Sequence, residues 1–348
     1  MTWPQVKLKY VARSADGDAL SQNPEQEGTT TSAHVRWLFY VLQSLKLEQG
    51  TDKAAVPRVR RDDADNQKVF IPPRSEQQAI ARYLDKETAK IDQLIQAHKR
   101  LLELLAEKHH ALITHAVTRG LNPDVPMRDS GVYWIGKIPK TWQVLKLKRC
   151  IVSLDQGWSP KSDEPEPEEQ KWAVLKLNAV QGGQFDDSQA KAIPISQDIP
   201  KHLEIHSGDF LITRANTRQL VGDVCYVQNT RPHLILSDLI YRLKLDESKL
   251  NGQFLSFFLQ SQRGRLQIEA DARGPNTSKL KISQGHIRDW LLLVPPREEQ
   301  NWIVDYIDTQ ICNINALKAA TQQTLELLNE RRRSLITAVV NGQIQVQE

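Results

Sequence analysis

The chain has 348 residues, 25% charged and 40% apolar, an ordinary composition with room for two or three domains. Its formal charge of +4 permits nucleic-acid binding where basic residues cluster, without demanding it. The three scattered cysteines, Cys150, Cys225 and Cys312, exclude a disulfide framework or zinc ribbon and point to a cytoplasmic protein.

The start, MTWPQVKLKY, has no apolar core of signal-peptide length. No apolar run approaches the roughly 20 residues that span a bilayer, so no membrane partner is expected. Residues 14–33 are polar and loop-like, and residues 34–48, HVRWLFYVLQSLKLE, fit a late helix of the longer region 141–293. Together 1–70 form a short globular region.

Residues 71–85, IPPRSEQQAIARYLD, are nearly repeated at 294–308, VPPREEQNWIVDYID. At an offset of 223, residues 72–114 match 295–337 at 19 of 43 positions. Each copy predicts one long helix, in 71–121 and in 294–348. Pro-Pro marks the start, acidic residues fill the first turn, and Gly120 or Gly342 ends it. A seven-residue apolar repeat runs along both. In the first copy the rows hold Leu84, Ile91, Leu105 and Leu112, and Ile80, Leu94 and Leu101. In the second they hold Ile307, Ile314, Leu328 and Leu335, with Ile303 and Leu317. A helix of ~45 residues is about 68 Å long and cannot bury such a stripe alone. Each copy is the other's obvious partner; packing of each helix on its neighbouring globular region is the alternative.

Residues 122–140 contain prolines, glycines and serines and predict an extended linker. A second repeat follows, since TWQVLKLKRCI (141–151) resembles TWPQVKLKYVA (2–12). Residues 141–293 read as a mixed α/β domain. WAVLKLNAV (172–180), DFLITRA (209–215), VGDVCYVQ (221–228) and LIYRLKL (239–245) have strand character. GQFLSFFLQSQRGRLQ (252–267) has helical spacing, and DWLLLV (289–294) returns to the second Pro-Pro. From Trp3 to Pro72 is 69 residues; from Trp142 to Pro295 is 153. The part absent from the first region is the strand-rich middle.

The phrases PPRSEQQAIARYLDKETAKID, RLLELLAEKHHALITHAVTRGLNPDVPMRDSGVYWIGKIPKTW and SGDFLITRA…VGDV resemble the specificity subunit of type I restriction-modification enzymes. The resemblance covers most of the chain. It implies an α+β fold: two α/β target-recognition domains, the first here truncated, joined by two long antiparallel coiled-coil helices. It also implies that each domain reads half of a bipartite site in double-stranded DNA. Modification (methyltransferase) and restriction (motor-nuclease) subunits would assemble around the chain. S-adenosylmethionine, ATP and Mg would belong to those partners, leaving no cofactor in this chain.

The residues agree with a non-catalytic role. The Pro-Pro pairs follow Ile71 and Val294, not the Asn or Asp of an amino-methyltransferase motif, and no GxxxxGK[ST] loop occurs. DESK (246–249) reads as a solvated turn. HLEIH (202–206) would need a helix to bring its histidines onto one metal, and its alternation favours a strand or loop, so no metal site is expected. Sequence reading needs groups at base edges and groups on phosphates. Three loops supply both types: 155–163 with Trp158 and Lys161, 213–219 with Arg214, Asn216 and Arg218, and 272–283 with Arg273, Asn276, Lys279 and Lys281. Arginine suits guanine and asparagine suits adenine, while the lysines suit phosphates. The acidic run 162–169 is expected to face solvent.

Overall fold

Proline interrupts helices but suits their first turn, and each Pro-Pro pair leads at once into a long helix. Arg74–Arg119 has 46 residues and Arg297–Val340 has 44. Gly120 and Gly342 close them with φ of 77° and 72°, a conformation that costs glycine nothing. The computed structural model describes residues 3–13, 30–31, 33–45, 66–159, 171–193, 198–274 and 280–346. Lys161, Asn276, Lys279, the acidic run and most of the polar stretch 14–33 lie outside the described residues. The fold is mixed α and β, and it divides within the two long helices. One unit is Met1–Leu105 with Ala316–Glu348; the other is Ala106–Asn315. No helix among the described residues is long and apolar enough to cross a membrane.

In the first unit, β1 (Gln5–Lys7) leads into a 3-10 turn (Leu8–Tyr10) and β2 (Ala12–Arg13). β3 (Thr30–Thr31), α1 (Val35–Ser44), β4 (Lys68–Phe70) and the helix Arg74–Arg119, α2, follow. β1 pairs antiparallel with β4, and β2 with β3. The core packs Trp37, Tyr40 and Val41 of α1 against Ile80, Ala81 and Leu84 of α2 and against Ile336, Val339 and Val340. Higher numbers on α2 meet lower ones on the C-terminal helix: Ile91 and Ile95 contact Leu325, and Asp92 binds Arg332 at 2.8 Å. The helix segments in this unit are therefore antiparallel.

The second unit begins with a hairpin, β5 (Met127–Asp129) and β6 (Lys137–Pro139). The predicted extended linker is thus corrected to a hairpin, tied down by Arg128 Nη2, which donates to Trp142 O at 2.6 Å. The strands β7 (Gln143–Lys146), β8 (Ile151–Gln156), β9 (Ala173–Leu175), β10 (Val180–Gln181), β11 (Gln184–Phe185), β12 (Ala190–Ala192), β13 (Phe210–Thr213), β14 (Ala215–Asn216), β15 (Val224–Tyr226), β16 (Leu234–Ile235) and β17 (Ile240–Leu245) follow. Then come α3 (Gly252–Gln260), α4 (Gln262–Asp271), β18 (Leu280–Lys281), α5 (Gln284–Asp289), β19 (Leu291–Val294) and α6 (Arg297–Val340). An antiparallel sheet in the order β15-β13-β17-β8 separates two cores. Phe210 and Ile212 face α3, α4 and the helix residues Ile113, Val117, Ile303 and Ile307; Leu211 faces the sheet β12-β9-β16. Side chains alternate across a strand, so FLIT, buried on both faces, is apolar at Phe210, Leu211 and Ile212, and the buried Thr213 hydroxyl is satisfied by Leu220 O. The stretch 252–267, expected to be helical, is two helices. Ser261 breaks it, ending α3 and capping α4 through its Oγ.

The two units share one frame. β7 pairs with β19 as β1 does with β4. Leu147 N donates to Trp290 O at 2.8 Å, and Leu8 N to Gln67 O at the same distance. Trp3 Nε1 donates to Glu76 at 3.0 Å; Trp142 Nε1 donates to Glu299 at 3.0 Å. The buried Gln77 joins three segments: its Nε2 donates to Pro72 O at 2.9 Å and its Oε1 accepts from His34 N, at the start of α1, at 2.8 Å. Gln300 does the same for Pro295 O and for Asn251 N at the start of α3, at 2.9 and 2.8 Å. Among the described residues, β9 to β16 have no counterpart in the first unit.

Removing a buried hydrogen-bonding side chain strands its partners at a cost of about 1–3 kcal/mol. Gln300→Ala is expected to lower the stability of the second unit by that amount, and Gln77→Ala that of the first. Chemical denaturation followed with a probe in each unit measures this; an unchanged midpoint would contradict the role given to the amide.

Candidate nucleic-acid interface

β8 and β13 end, and the antiparallel β17 begins, at one edge of the four-stranded sheet. Trp158 N donates to Leu236 O at 2.8 Å and Arg214 N to Leu239 O at 2.7 Å, so two of the three predicted loops leave the sheet there. The third joins them through β14 and β18: Ala215 lies opposite Lys281, and Asn216 opposite Leu280. Arg273 and Lys281 exchange backbone hydrogen bonds of 3.0 and 2.7 Å. Strand pairing therefore gathers Arg214, Asn216, Arg218, Arg273 and Lys281, although up to 67 residues separate them in sequence.

The side chains differ in what they offer. Arg214 lies over the Tyr241 ring at 6.0 Å, a cation–π contact that fixes its plane. Burial pushes the Tyr241 phenol up, with Arg214 opposing. Asn216 Oδ1 accepts from Thr217 N at 2.8 Å, so one of the oxygen's two lone pairs is already used, and a bidentate adenine contact would have to share the acceptor with the backbone. Arg218 and Lys281 are exposed. Arg273 Nη1 donates to the carbonyls of Ala270 and Ala272, capping the end of α4. Trp158 is half-buried on the second core, where it anchors its loop.

Sequence reasoning missed the groups that hold the central loop. Arg265 Nη1 donates to Val221 O at 3.0 Å and Nη2 to Arg218 O at 3.2 Å. Thr213 Oγ1 donates to Leu220 O at 2.9 Å. The signal was an arginine on the apolar side of a helical stretch. Also missed was a buried ionic knot behind the loops. Arg242, on β17, binds Asp155 Oδ2 at 2.9 Å, His202 O at 3.0 Å and Glu204 O at 2.9 Å, and approaches Asp209 at 3.7 Å. Lys244 also binds Asp209, which is fully buried.

Lys201–Leu203 forms a single 3-10 turn and Glu204 is extended, so His202 and His206 do not share a helix face. Among the described residues no group of histidine, cysteine and carboxylate side chains could hold a metal. In DESK, Ser248 and Lys249 fold back onto Asp246 at 2.6 and 2.5 Å and hold its carboxyl below the usual range.

The helix seam needs one correction. Ile80, Leu84, Ile91, Leu105, Ile303, Ile307 and Ile314 are buried, and Leu101, Leu112, Leu328 and Leu335 are half-buried. Leu94 and Leu317 are 49% and 47% exposed and lie off the seam. The second row is 81, 88, 95 and 102 on α2, and 304, 311, 318 and 325 on α6, one residue later than the expected 80, 87, 94 and 101 and its counterpart. Spacings of three or four from the first row suit a heptad equally. Thr88 decides the matter on α2, because its Oγ1 donates to Leu84 O at 2.6 Å and meets Tyr40 OH at 3.1 Å, so it can be buried.

No family model matches the chain. Its curated relatives include the EcoEI specificity subunit of type I restriction enzymes from Escherichia coli, 28% identical over 69% of this chain and 40% of that one. The EcoKI specificity subunit of strain K12 is 23% identical over 80% of this chain and 58% of its own length. The MjaVIII specificity subunit of Methanocaldococcus jannaschii is 25% identical over 88% and 70%. The chain thus spans about half the length of the first two. Among solved structures, one from work on complex assembly and conformational transition of the type I R-M system aligns with TM-score 0.67, at 18% identity, over 90% of this chain and 72% of that one. The HsdS subunit from Thermoanaerobacter tengcongensis gives 0.51 at 18% identity, over 90% and 71%. The sequence resembles type I specificity subunits, and the fold is shared with these structures.

Breaking a buried ion pair from one side costs about 3–5 kcal/mol. Arg242→Met leaves Asp209 with Lys244 and the His206 N–H and is expected to destabilise the second unit by that amount in equilibrium unfolding. A loss below about 1 kcal/mol would contradict the burial argument.

Proposed function

We propose that the chain is the DNA sequence-recognition subunit of a type I restriction-modification complex. It directs adenine methylation and ATP-dependent cleavage performed by partner modification and restriction subunits, and it is not itself an enzyme. It reads one half-site, through 141–293. The observation that carries this is the shared frame with unequal contents. Both units keep the Trp–Glu and glutamine contacts at the helix root, but among the described residues only the second has the strand-rich middle and the gathered loops.

In this reading 1–70 is a shortened first target-recognition domain that caps the helices without reading bases. Arg214 and Arg218 suit base edges, and Lys281 suits phosphate. A second reading, a scaffold that binds modification subunits through its helices without specific recognition, is favoured by one observation: Asn216 and Arg273 spend polar atoms on their own backbone.

Expression with the modification subunits, followed by mapping of methylated adenines, separates the readings. One short specified block around the modified adenine is expected. Two specified blocks would overturn the loss of reading by the first unit, and methylation without sequence preference would favour the scaffold. Arg218→Ala is expected to weaken specific binding by about 1–3 kcal/mol, whereas Lys281→Ala should reduce the salt dependence by about one phosphate contact.

A further inference from the structure

The shared frame is charge-balanced in one copy and not in the other. In the second unit Lys146, at the end of β7, and Lys148, in the 3-10 turn that follows, both reach Asp289, each at 3.1 Å. Hydrogen bonds from Lys148 and Lys146 hold that carboxyl below its usual range. The repeat places Lys7 and Lys9 at these lysines. The bond of Leu8 N to Gln67 O matches that of Leu147 N to Trp290 O, which places Asn66 at Asp289. Lys7 Nζ accordingly donates to Asn66 Oδ1 at 3.0 Å. The acceptor is kept and its charge is gone.

Strand pairing adds a third cation. Lys7 lies directly opposite Lys68, whereas Lys146 lies opposite Leu291. Lys9, Tyr10 and Lys68 are exposed, and Lys9 Nζ lies 5.3 Å from the centre of the Tyr10 ring. Among the described residues no carboxylate forms an ion pair with Lys7, Lys9 or Lys68. Like charges directly opposite on paired strands destabilise them, so the fold alone gives no reason for two lysines there. The second unit shows how the same frame neutralises its own pair. An uncompensated cluster of this kind is completed by an anion, and the donor set selects its class. Lysine, asparagine and tyrosine side chains all contact phosphates along a nucleic-acid backbone. The missing carboxylate is the one group of the second unit's arrangement that would repel them.

We propose that Lys7, Lys9 and Lys68 of the first unit, with Asn66 and Tyr10, grip the phosphates of duplex DNA without reading its bases. The inference rests on the reading above, in which DNA is the partner. It gives the first unit a binding role of its own, carried by the frame and not by a reading loop.

The test titrates the full chain with fluorescent duplexes of mixed sequence over a series of salt concentrations. Each lost phosphate contact lowers the slope of log affinity against log salt by about 0.9. Replacing all three lysines by alanine is expected to lower the slope by about 2–3. Asn66→Asp, which restores the arrangement of the second unit, should lower it by about 2. Lys86→Ala, on an exposed face of α2, should leave it unchanged. Sequence selection by the complex with modification subunits should return the same specified block from every variant. Both alterations relieve the opposed lysines, so thermal midpoints at or above that of the unaltered chain are expected, which keeps loss of binding apart from loss of fold. An unaltered slope in both variants would overturn the proposal and leave the reading intact. So would binding of polyglutamate that matches duplex binding and disappears in the triple variant, because the patch would then belong to an acidic protein. Variant-sensitive slopes without any sequence preference in the unaltered chain would contradict the reading and not the proposal.

Discussion

A buried side-chain amide at the root of each long helix is the contact on which this architecture depends. Gln77 and Gln300 each satisfy the carbonyl of the first proline of the pair and the N–H of the residue that caps a shorter helix. Buried backbone groups must be paired, and proline has removed the donors that a continuous helix would have used. The glutamine resolves both demands at once. It fixes where the long helix begins and how the globular part sits on it. The tryptophan–glutamate bond adds a second tie at the same place, and the closing glycine of the other long helix packs there. A Cβ on Gly120 would lie 3.1 Å from Glu299, and one on Gly342 would lie 3.0 Å from Trp3.

Such a frame does not depend on a strand-rich middle. The frame needs a strand pair, a 3-10 turn, a short helix and a glutamine, and all of these lie in the described part of the first unit. The strand-rich middle of the second unit attaches to the frame but does not build it. Its own core, around Leu175, Leu211 and Ile235, is separate from the core that holds the helices. Loss of such an insert leaves the helix root intact.

The repeat and the two long helices were legible because periodicity and proline act locally, whereas the antiparallel pairing came only from the family resemblance. The register of one seam row was not, since a heptad admits spacings of three or four, and it is the burial of Ile95 rather than Leu94, together with the contact of Thr88 with Tyr40, that selects between them on α2. Strands such as β13 and β17 were legible as short stretches rich in β-branched and aromatic residues between turn signals. β14 and β18, two residues each, were not, because their pairing is non-local and they carry no pattern of their own. That pairing brings the candidate loops together. The loops were found by residue type, but their supports, Arg265 and Arg242, bond to backbone carbonyls far away in sequence and leave no motif. The Asn216 amide looked suited to adenine, yet its neighbour's N–H already uses one of the oxygen's two lone pairs.

The two halves share a frame, and in the proposed function only the second reads DNA. Selection from a pool of randomised duplexes by the chain in complex with its modification subunits tests it most directly. The account gives enriched sequences with one contiguous block of specified bases and no preference beyond it. Enrichment of two blocks at a fixed separation would contradict it, because the first unit would then be reading DNA.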